Sequence, residues 1–282
     1  MNTNIIFSSC GNDSVALMQW VINNKPADKN IILYSNTGWS HPDWHKRVNL
    51  VKIYAQVKGL EFRIIDSEGM ENLVRRKKGW PMPASKMQFC TEELKVRPAR
   101  EFMLEIDPEL EADCYTGIRR EESQNRKHAP AFIEQSERHG GRDLYCPLVD
   151  YTAEQRNELI NQTELEILPH SSMECFPCVC SNRSDFIRLA EYPERIKYIS
   201  EIEKSMGFTR NNKPRVMFRP YRHMGAIGIE EVVKWGLADK GKYKLPEAMR
   251  KIKEAKENRD NLQLELWAGG ETLPCNSGFC GF

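Results

Sequence analysis

The chain has 282 residues, with 41 Lys+Arg against 40 Asp+Glu and a formal net charge of +1, so no global field draws it to nucleic acid or membrane. Its 40% hydrophobic and 29% charged residues fit a water-soluble globular protein of one large or two smaller domains. No apolar run approaches a bilayer span, and the N-terminus lacks a basic segment followed by an apolar core, so the expected compartment is the cytoplasm, with no membrane partner.

In chain order, Ile5-Ile6-Phe7 reads as a strand, Ser9-Cys10-Gly11-Asn12-Asp13-Ser14 as a small-residue turn, and Val15 to Ile22 as a helix. Strand, small-residue turn and helix start together form a geometry that cradles phosphate: turn amides and the positive helix end face an anion. The spacing is neither the Walker pattern nor G-x-G-x-x-G. A second strand, Ile31 to Tyr34, ends in the turn Ser35-Asn36-Thr37-Gly38. A helix is expected from about Asp43 to Val57, a strand over Glu61–Ile65, a helix from Thr91 to Leu104 broken near Pro98, and a strand from Asp113 running into a loop at Gly117. This alternation predicts an α/β fold with a doubly wound, mostly parallel sheet, whose ligands sit at the carboxyl ends of the strands. The turns at Ser9–Ser14, Asn36–Trp39 and Gly117–Arg120 are therefore expected to converge on one crevice.

The polar stretch Ser123–Arg142 is expected to be a mobile loop over the site. Thr152 with Gln155 predicts a capping box closing a first domain over residues 1–168. Residues 169–282 are expected to form a smaller helical, cysteine-rich domain, with one long helix from about Arg183 to Met206. The basic and aromatic stretch Arg215–His223 suits either an anion, a nucleic acid or plain solvation.

Nine cysteines in a chain expected in a reducing compartment suggest metal binding or catalysis rather than disulfides. Cys175-Phe176-Pro177-Cys178 is a C-x-x-C on a turn, with Cys180 close behind, and Cys275 and Cys280 form a second pair. Two pairs make a four-thiolate site suited to zinc or to an iron–sulfur cluster. Cys114 and Cys146 read as small buried hydrophobes. Cys10, at a helix N-terminus, is expected either to have a lowered pKa or to be a small residue filling a glycine position. His41 and His45 lie one helical turn apart and read as surface residues.

Five segments together resemble the N-type ATP pyrophosphatases and the related phosphoadenylyl-sulfate (PAPS) reductases. They are the loop Ser9–Ser14, then Asn36-Thr37-Gly38-Trp39-Ser40-His41-Pro42, then Cys90-Thr91-Glu92-Glu93-Leu94-Lys95-Val96-Arg97-Pro98, then Gly117-Ile118-Arg119-Arg120-Glu121-Glu122-Ser123-Gln124-Asn125-Arg126, and Cys146-Pro147-Leu148-Val149-Asp150-Tyr151-Thr152. They fall in the family's order over about residues 5–160. Three positions depart from it: Cys10 replaces the usual first Gly, Asn12 a frequent Lys, and Asn36 the usual Asp.

The resemblance implies an adenine nucleotide, ATP or adenylyl sulfate, bound with Mg²⁺ by Ser9, Cys10, Gly11, Asn12, Asp13 and Ser14. Asn36, Thr37 and Gly38 would lie beside the adenosine. Gly117, Arg119, Glu122 and Arg126 would complete the site, and Asp13, Lys95 and Arg119 would act in catalysis. The resemblance also favours a [4Fe-4S] cluster over zinc, with Cys90, Cys175 and Cys178 as first ligands and the fourth from Cys275, Cys280 or Cys180. The implied chemistry is adenylylation with pyrophosphate release, coupled to sulfur transfer. Two alternatives are an adenylyl-sulfate reductase and a nucleotide-binding subunit of a DNA-modification or defence complex. A sulfur donor protein, a nucleic-acid acceptor and a homodimer are compatible with the resemblance.

Overall fold

The structure, a computed structural model, describes residues 2–82, 88–123, 126–218 and 227–238. The described strands form one six-stranded sheet: β1 (Thr3–Ser8), β2 (Lys29–Asn36), β3 (Glu61–Asp66), β4 (Asp113–Tyr115), β5 (Phe132–Ser136) and β6 (Arg142–Tyr145). Their order is β3-β2-β1-β4-β6-β5, all neighbours parallel except the antiparallel pair β5–β6.

The central strands are apolar on both faces, as strands covered by helices on each side must be. On one face Ile6, Ile32, Tyr34 and Tyr115 pack against α1 (Asn12–Asn24), α2 (Trp44–Val57) and α5 (Ala153–Ile160). On the other, Ile5, Phe7, Leu33 and Cys114 pack against α4 (Arg97–Ile106) through Ala99 and Met103. The period-2 alternation of these side chains delivers a doubly wound sheet. Cys114 and Cys146 lie in the second of these cores.

Three local elements differ from the sequence reading. Residues 123–142 are not one long loop: Phe132–Ser136 and Arg142–Tyr145 pair as strands, Ile133 opposite Leu144. The helix expected from Thr91 is continuous past Pro98, because that proline sits in the first turn of α4, where its missing N–H has no partner to lose. A π-helical stretch, Glu92–Val96, precedes it. The long helix expected from Arg183 divides into α6 (Arg183–Leu189) and α7 (Pro193–Ser205), since Pro193 starts the second rather than continuing the first. The capping box at Thr152 forms: Gln155 N–H donates to Thr152 Oγ1 at 3.3 Å, and Thr152 N–H donates to Gln155 Oε1 at 2.9 Å.

Contacts divide the described residues into two units, one within 2–73 and 89–176, the other within 74–82, 88, 177–218 and 227–238. The second contains α6, α7 and α8 (Gly228–Leu237); the Phe186 ring of α6 meets Phe218 edge-on at 4.9 Å and Trp235 of α8 at 6.2 Å. No helix among the described residues is long and apolar enough to cross a membrane.

Candidate functional site

The loop after β1 is organised by its own side chains. Ser9 N–H donates to Ser14 Oγ at 3.0 Å, and the two serine hydroxyls meet at 3.1 Å. Cys10 is fully buried in the left-handed region at φ 58°. A side chain there costs about 1 kcal/mol, which explains why a glycine suits this position. Burial pushes the Cys10 thiol up to about 12, so the lowered pKa expected from the helix end is not what the site provides: desolvation outweighs the dipole. Arg47, from α2, donates from Nε to the Cys10 carbonyl at 3.3 Å. Its Nη2 is buried with no hydrogen-bond partner among the described residues.

Asn12 is occupied structurally. Its Nδ2 donates to the Leu168 carbonyl at 2.8 Å, and its Oδ1 accepts from Leu168 N–H at 2.9 Å. Four residues on, Ser172 Oγ donates to the Ser9 carbonyl at 3.3 Å. A Cβ on Gly11 would stand 3.0 Å from the Ser172 Cβ, so the glycine admits this close approach.

The turn after β4 reaches the same loop. Arg119 is buried and pairs with Asp13 at 2.5 Å and with Glu121 at 3.0 Å. Arg156 lies 3.8 Å from Asp13. Gly117 passes so close to the loop that a Cβ would sit 2.8 Å from the Asp13 carbonyl oxygen. Glu122 accepts from Arg119 N–H at 3.3 Å and pairs with buried Arg126. Burial is the main influence lowering the Arg126 pKa, with Asp13 opposing it, and its Nε lacks a hydrogen-bond partner among the described residues. Buried guanidinium N–H groups without partners, on Arg126 and Arg47, are donors suited to an incoming anion.

The turn after β2 is fixed by Asn36. Its Oδ1 accepts from Gly38 N–H at 3.1 Å and its Nδ2 donates to Asp66 at 2.8 Å. The neighbouring Asp66 gives a reason for the amide: a carboxylate at 36 would face a like charge. Thr37 Oγ1 lies 3.4 Å from the Glu174 carbonyl and 3.9 Å from Cys175 Sγ. Lys95 forms a 2.8 Å ion pair with Glu174, both side chains under a tenth exposed. Burial raises the Glu174 pKa, with Lys95 opposing, and its Oε1 has no hydrogen-bond partner among the described residues.

The structure thus brings together the loop Ser9–Ser14 with Gly117, Arg119, Glu122 and Arg126, and Thr37 with Glu174, Cys175 and Lys95. Sequence reasoning missed Arg47 and Glu174. Arg47 was legible as a charge interrupting the apolar face Trp44–Val48–Val51 of α2. Glu174 directly precedes the C-x-x-C. His41, expected at the surface, is buried with its ring edge-on to Phe176 at 4.9 Å.

Cys90 is half-buried in the turn before the π-helical stretch, and Cys175 is half-buried beside Thr37. In the second unit Cys178 Sγ accepts from Cys180 N–H at 3.5 Å. Among the described residues no three His, Cys, Asp or Glu side chains form a metal-holding group. Cys275, Cys280, Gln124 and Asn125 lie outside the described residues, as does most of the basic stretch, 219–226.

Among curated proteins, the chain is 24% identical over 168 residues to a protein of Escherichia phage 186 described as "Uncharacterized 37.8 kDa protein in gpa 5'region", covering 55% of the chain. The match spans half of that relative's length. Among solved structures it is similar to a phosphoadenylyl-sulfate reductase from Candida auris in a phosphate complex, at 18% identity and TM-score 0.40, over 58% of this chain and 72% of that one. It is also similar to the U34-tRNA thiolase NcsA from Methanococcus maripaludis with its [4Fe-4S] cluster, at 14% identity and TM-score 0.45, over 73% and 68%. Residues 3–172 match the phosphoadenosine phosphosulfate reductase domain, and they carry the whole phosphate-type loop with Arg47, Gly117 and Arg119. The chain belongs to the phosphoadenosine phosphosulfate reductase domain family.

Proposed function

We propose that this protein binds ATP with Mg²⁺ at the loop Ser9–Ser14 and adenylylates a substrate as the first half of a sulfur transfer. The carrying observation is the Asp13–Arg119 pair at 2.5 Å beside buried arginine N–H groups that lack partners among the described residues. In this reading the nucleotide phosphates displace the carboxylate from part of the Arg119 fork and take up the Arg126 and Arg47 donors. A substrate oxygen attacks the α-phosphorus, the α–β bond breaks, and pyrophosphate leaves. Loop amides and Arg119 meet the charge that develops at the α-phosphate. Asp13 holds Arg119 in register and offers a carboxylate to the Mg²⁺. A sulfur nucleophile then displaces AMP from the activated substrate.

Cys90, Cys175 and Cys178, with Cys275, Cys280 or Cys180, are the thiols proposed to hold a [4Fe-4S] cluster, or zinc. No complete ligand set stands together among the described residues, so no step is routed through the metal.

A second reading is supported by Asn12 and Lys95. The residue in place of the frequent loop lysine is spent on Leu168, and Lys95 is held by a buried carboxylate. That arrangement suits a subunit that binds an adenine nucleotide without turning it over. ATP–pyrophosphate exchange on protein purified without oxygen separates the two, alongside iron, sulfide and zinc content. Exchange that Asp13→Ala abolishes supports adenylylation. Nucleotide binding without exchange supports the subunit.

A further inference from the structure

Four aromatic rings form a strip on the α1 side of β4, β6 and β5. The strand register places Tyr115 beside Tyr145 and Phe132 opposite Tyr145, so all three share one face. Tyr115 and Tyr145 stack at 5.3 Å with an interplanar angle of 19°, and Phe132 meets Tyr145 at 4.9 Å. Trp20, from α1, extends the strip to Tyr115 at 6.3 Å. Beside it lies a cavity of about 370 Å³, lined by Trp20, Tyr115, Tyr145 and Tyr151. Phe132, which packs on Tyr145, keeps 45% of its surface exposed.

The carboxylates in and around this groove are Asp113, Asp150, Asp28 and Asp143, against Lys25 and Arg120, whose guanidinium pairs with Asp150. No hydrogen bond or ion pair holds the Asp113 carboxylate among the described residues. Burial raises the Asp113 pKa, and Asp143 and Asp28 push it further up while Lys25 opposes. Asp113 and Asp143 act in the same sense on Tyr145, after burial. Electron-rich ring faces in a negative field attract a cation and repel a phosphate backbone. A nucleobase stacked on these rings would carry its own phosphate toward the carboxylates.

We propose that the groove between Trp20, Tyr115, Tyr145 and Asp113 is a binding site for a small organic cation of the alkylammonium class. The half-buried Trp20 and Tyr145 rings would take the alkylated, weakly hydrated head, with buried Tyr115 backing Tyr145, and Asp113 would take its charge. The groove shares Tyr151 with the surroundings of Arg119, whose Nη1 donates to the Tyr151 carbonyl at 3.3 Å, but the proposal does not depend on the nucleotide chemistry proposed for the loop.

The test uses the full chain and choline as probe, against its neutral carbon isostere 3,3-dimethylbutan-1-ol, at matched ionic strength by isothermal titration calorimetry. Choline is expected to bind saturably and the isostere about tenfold more weakly or not at all. Asp113→Asn and Tyr145→Leu are each expected to weaken choline by about tenfold while the thermal transition stays cooperative. Phe132→Leu, at the exposed margin, gives a third variant with little risk to folding. Equal binding of the isostere overturns the proposal in favour of a plain apolar cavity. Absence of binding at tens of millimolar choline overturns it outright. Binding of AMP that Tyr145→Leu abolishes overturns it in favour of a nucleobase platform, and choline-independent self-association lost in Phe132→Leu overturns it in favour of an interface between copies.

Discussion

Gly117→Ala is the sharpest perturbation of the convergence between the β4 turn and the phosphate-type loop. The added Cβ would stand 2.8 Å from the Asp13 carbonyl oxygen and 3.1 Å from its carbonyl carbon. Both are backbone atoms, so no side-chain rotation relieves the contact. Restoring ordinary separation requires the two loops to part by roughly half an ångström, and overpacking of this kind costs about 1–3 kcal/mol. At about 2–4 °C per kcal/mol for a domain of this size, the thermal midpoint should fall by roughly 3–10 °C. The same retreat shifts Asp13 against Arg119, now 2.5 Å apart, and should weaken Mg-ATP about tenfold or more. Gly79→Ala is the control, since its Cβ meets only the Lys77 carbonyl, at 3.9 Å. Differential scanning calorimetry and nucleotide titration on both variants provide the readout. A Gly117→Ala protein with unchanged midpoint and unchanged nucleotide affinity would refute the close approach and the reasoning built on it.

Three further expectations follow from buried groups. Cys10, fully buried and pushed up to about 12, should escape iodoacetamide at pH 8 in the native protein and react only on unfolding; peptide mass spectrometry showing native labelling would contradict its burial. Lys95→Met leaves the buried Glu174 carboxylate unpaired and should destabilise by about 3 kcal/mol or more. Adding Glu174→Gln should recover part of that loss, whereas strictly additive destabilisation in the double variant would show that the pair is not coupled. Glu203 accepts N–H groups from Met217 and Ile229 at 2.8 and 3.0 Å, yet burial raises its carboxyl from 4.5 to about 7. The folded state then holds a proton that the unfolded state has lost, so stability is greatest below the unfolded value and falls as pH rises. Between about pH 5.5 and 8 the loss is roughly 2 kcal/mol. Denaturant melts across that range should show it, and Glu203→Gln should flatten it; an unchanged slope in the variant would assign the pH dependence elsewhere.

The doubly wound sheet was legible because its signals are local and repeated. Ile5-Ile6-Phe7 and Ile31 to Tyr34 are apolar on both faces, and each ends in a small-residue turn, as a strand covered by helices should. The β5–β6 hairpin was not legible: Phe132–Ser136 is mostly polar and exposed, so it shows neither an apolar run nor clean alternation. The split of the charged helix at Pro193 was written in the sequence, and only the strength of the helical pattern on both sides concealed it. At the site, the loop order showed which turns should meet, but not what each side chain does there. Asn12 looked like a lost lysine and is a two-ended bridge to Leu168, a partner 156 residues away. Cys10 could be read either as a thiol activated by a helix end or as a small residue in a glycine position, and sequence does not reveal how completely a thiol is desolvated. Arg47 and Glu174 were missed for the same reason: each is charged and reaches its role through contacts distant in sequence.

The central claim is an adenine-nucleotide site built from Ser9–Ser14 and Arg119. Its most direct test is calorimetric titration of the full chain with Mg-ATP, wild type against Arg119→Ala, with Asp13→Ala as the partner variant. Saturable binding of one nucleotide per chain that weakens at least about tenfold in both variants is the predicted result. Binding of equal strength in all three proteins, or no binding to the wild type, would contradict it.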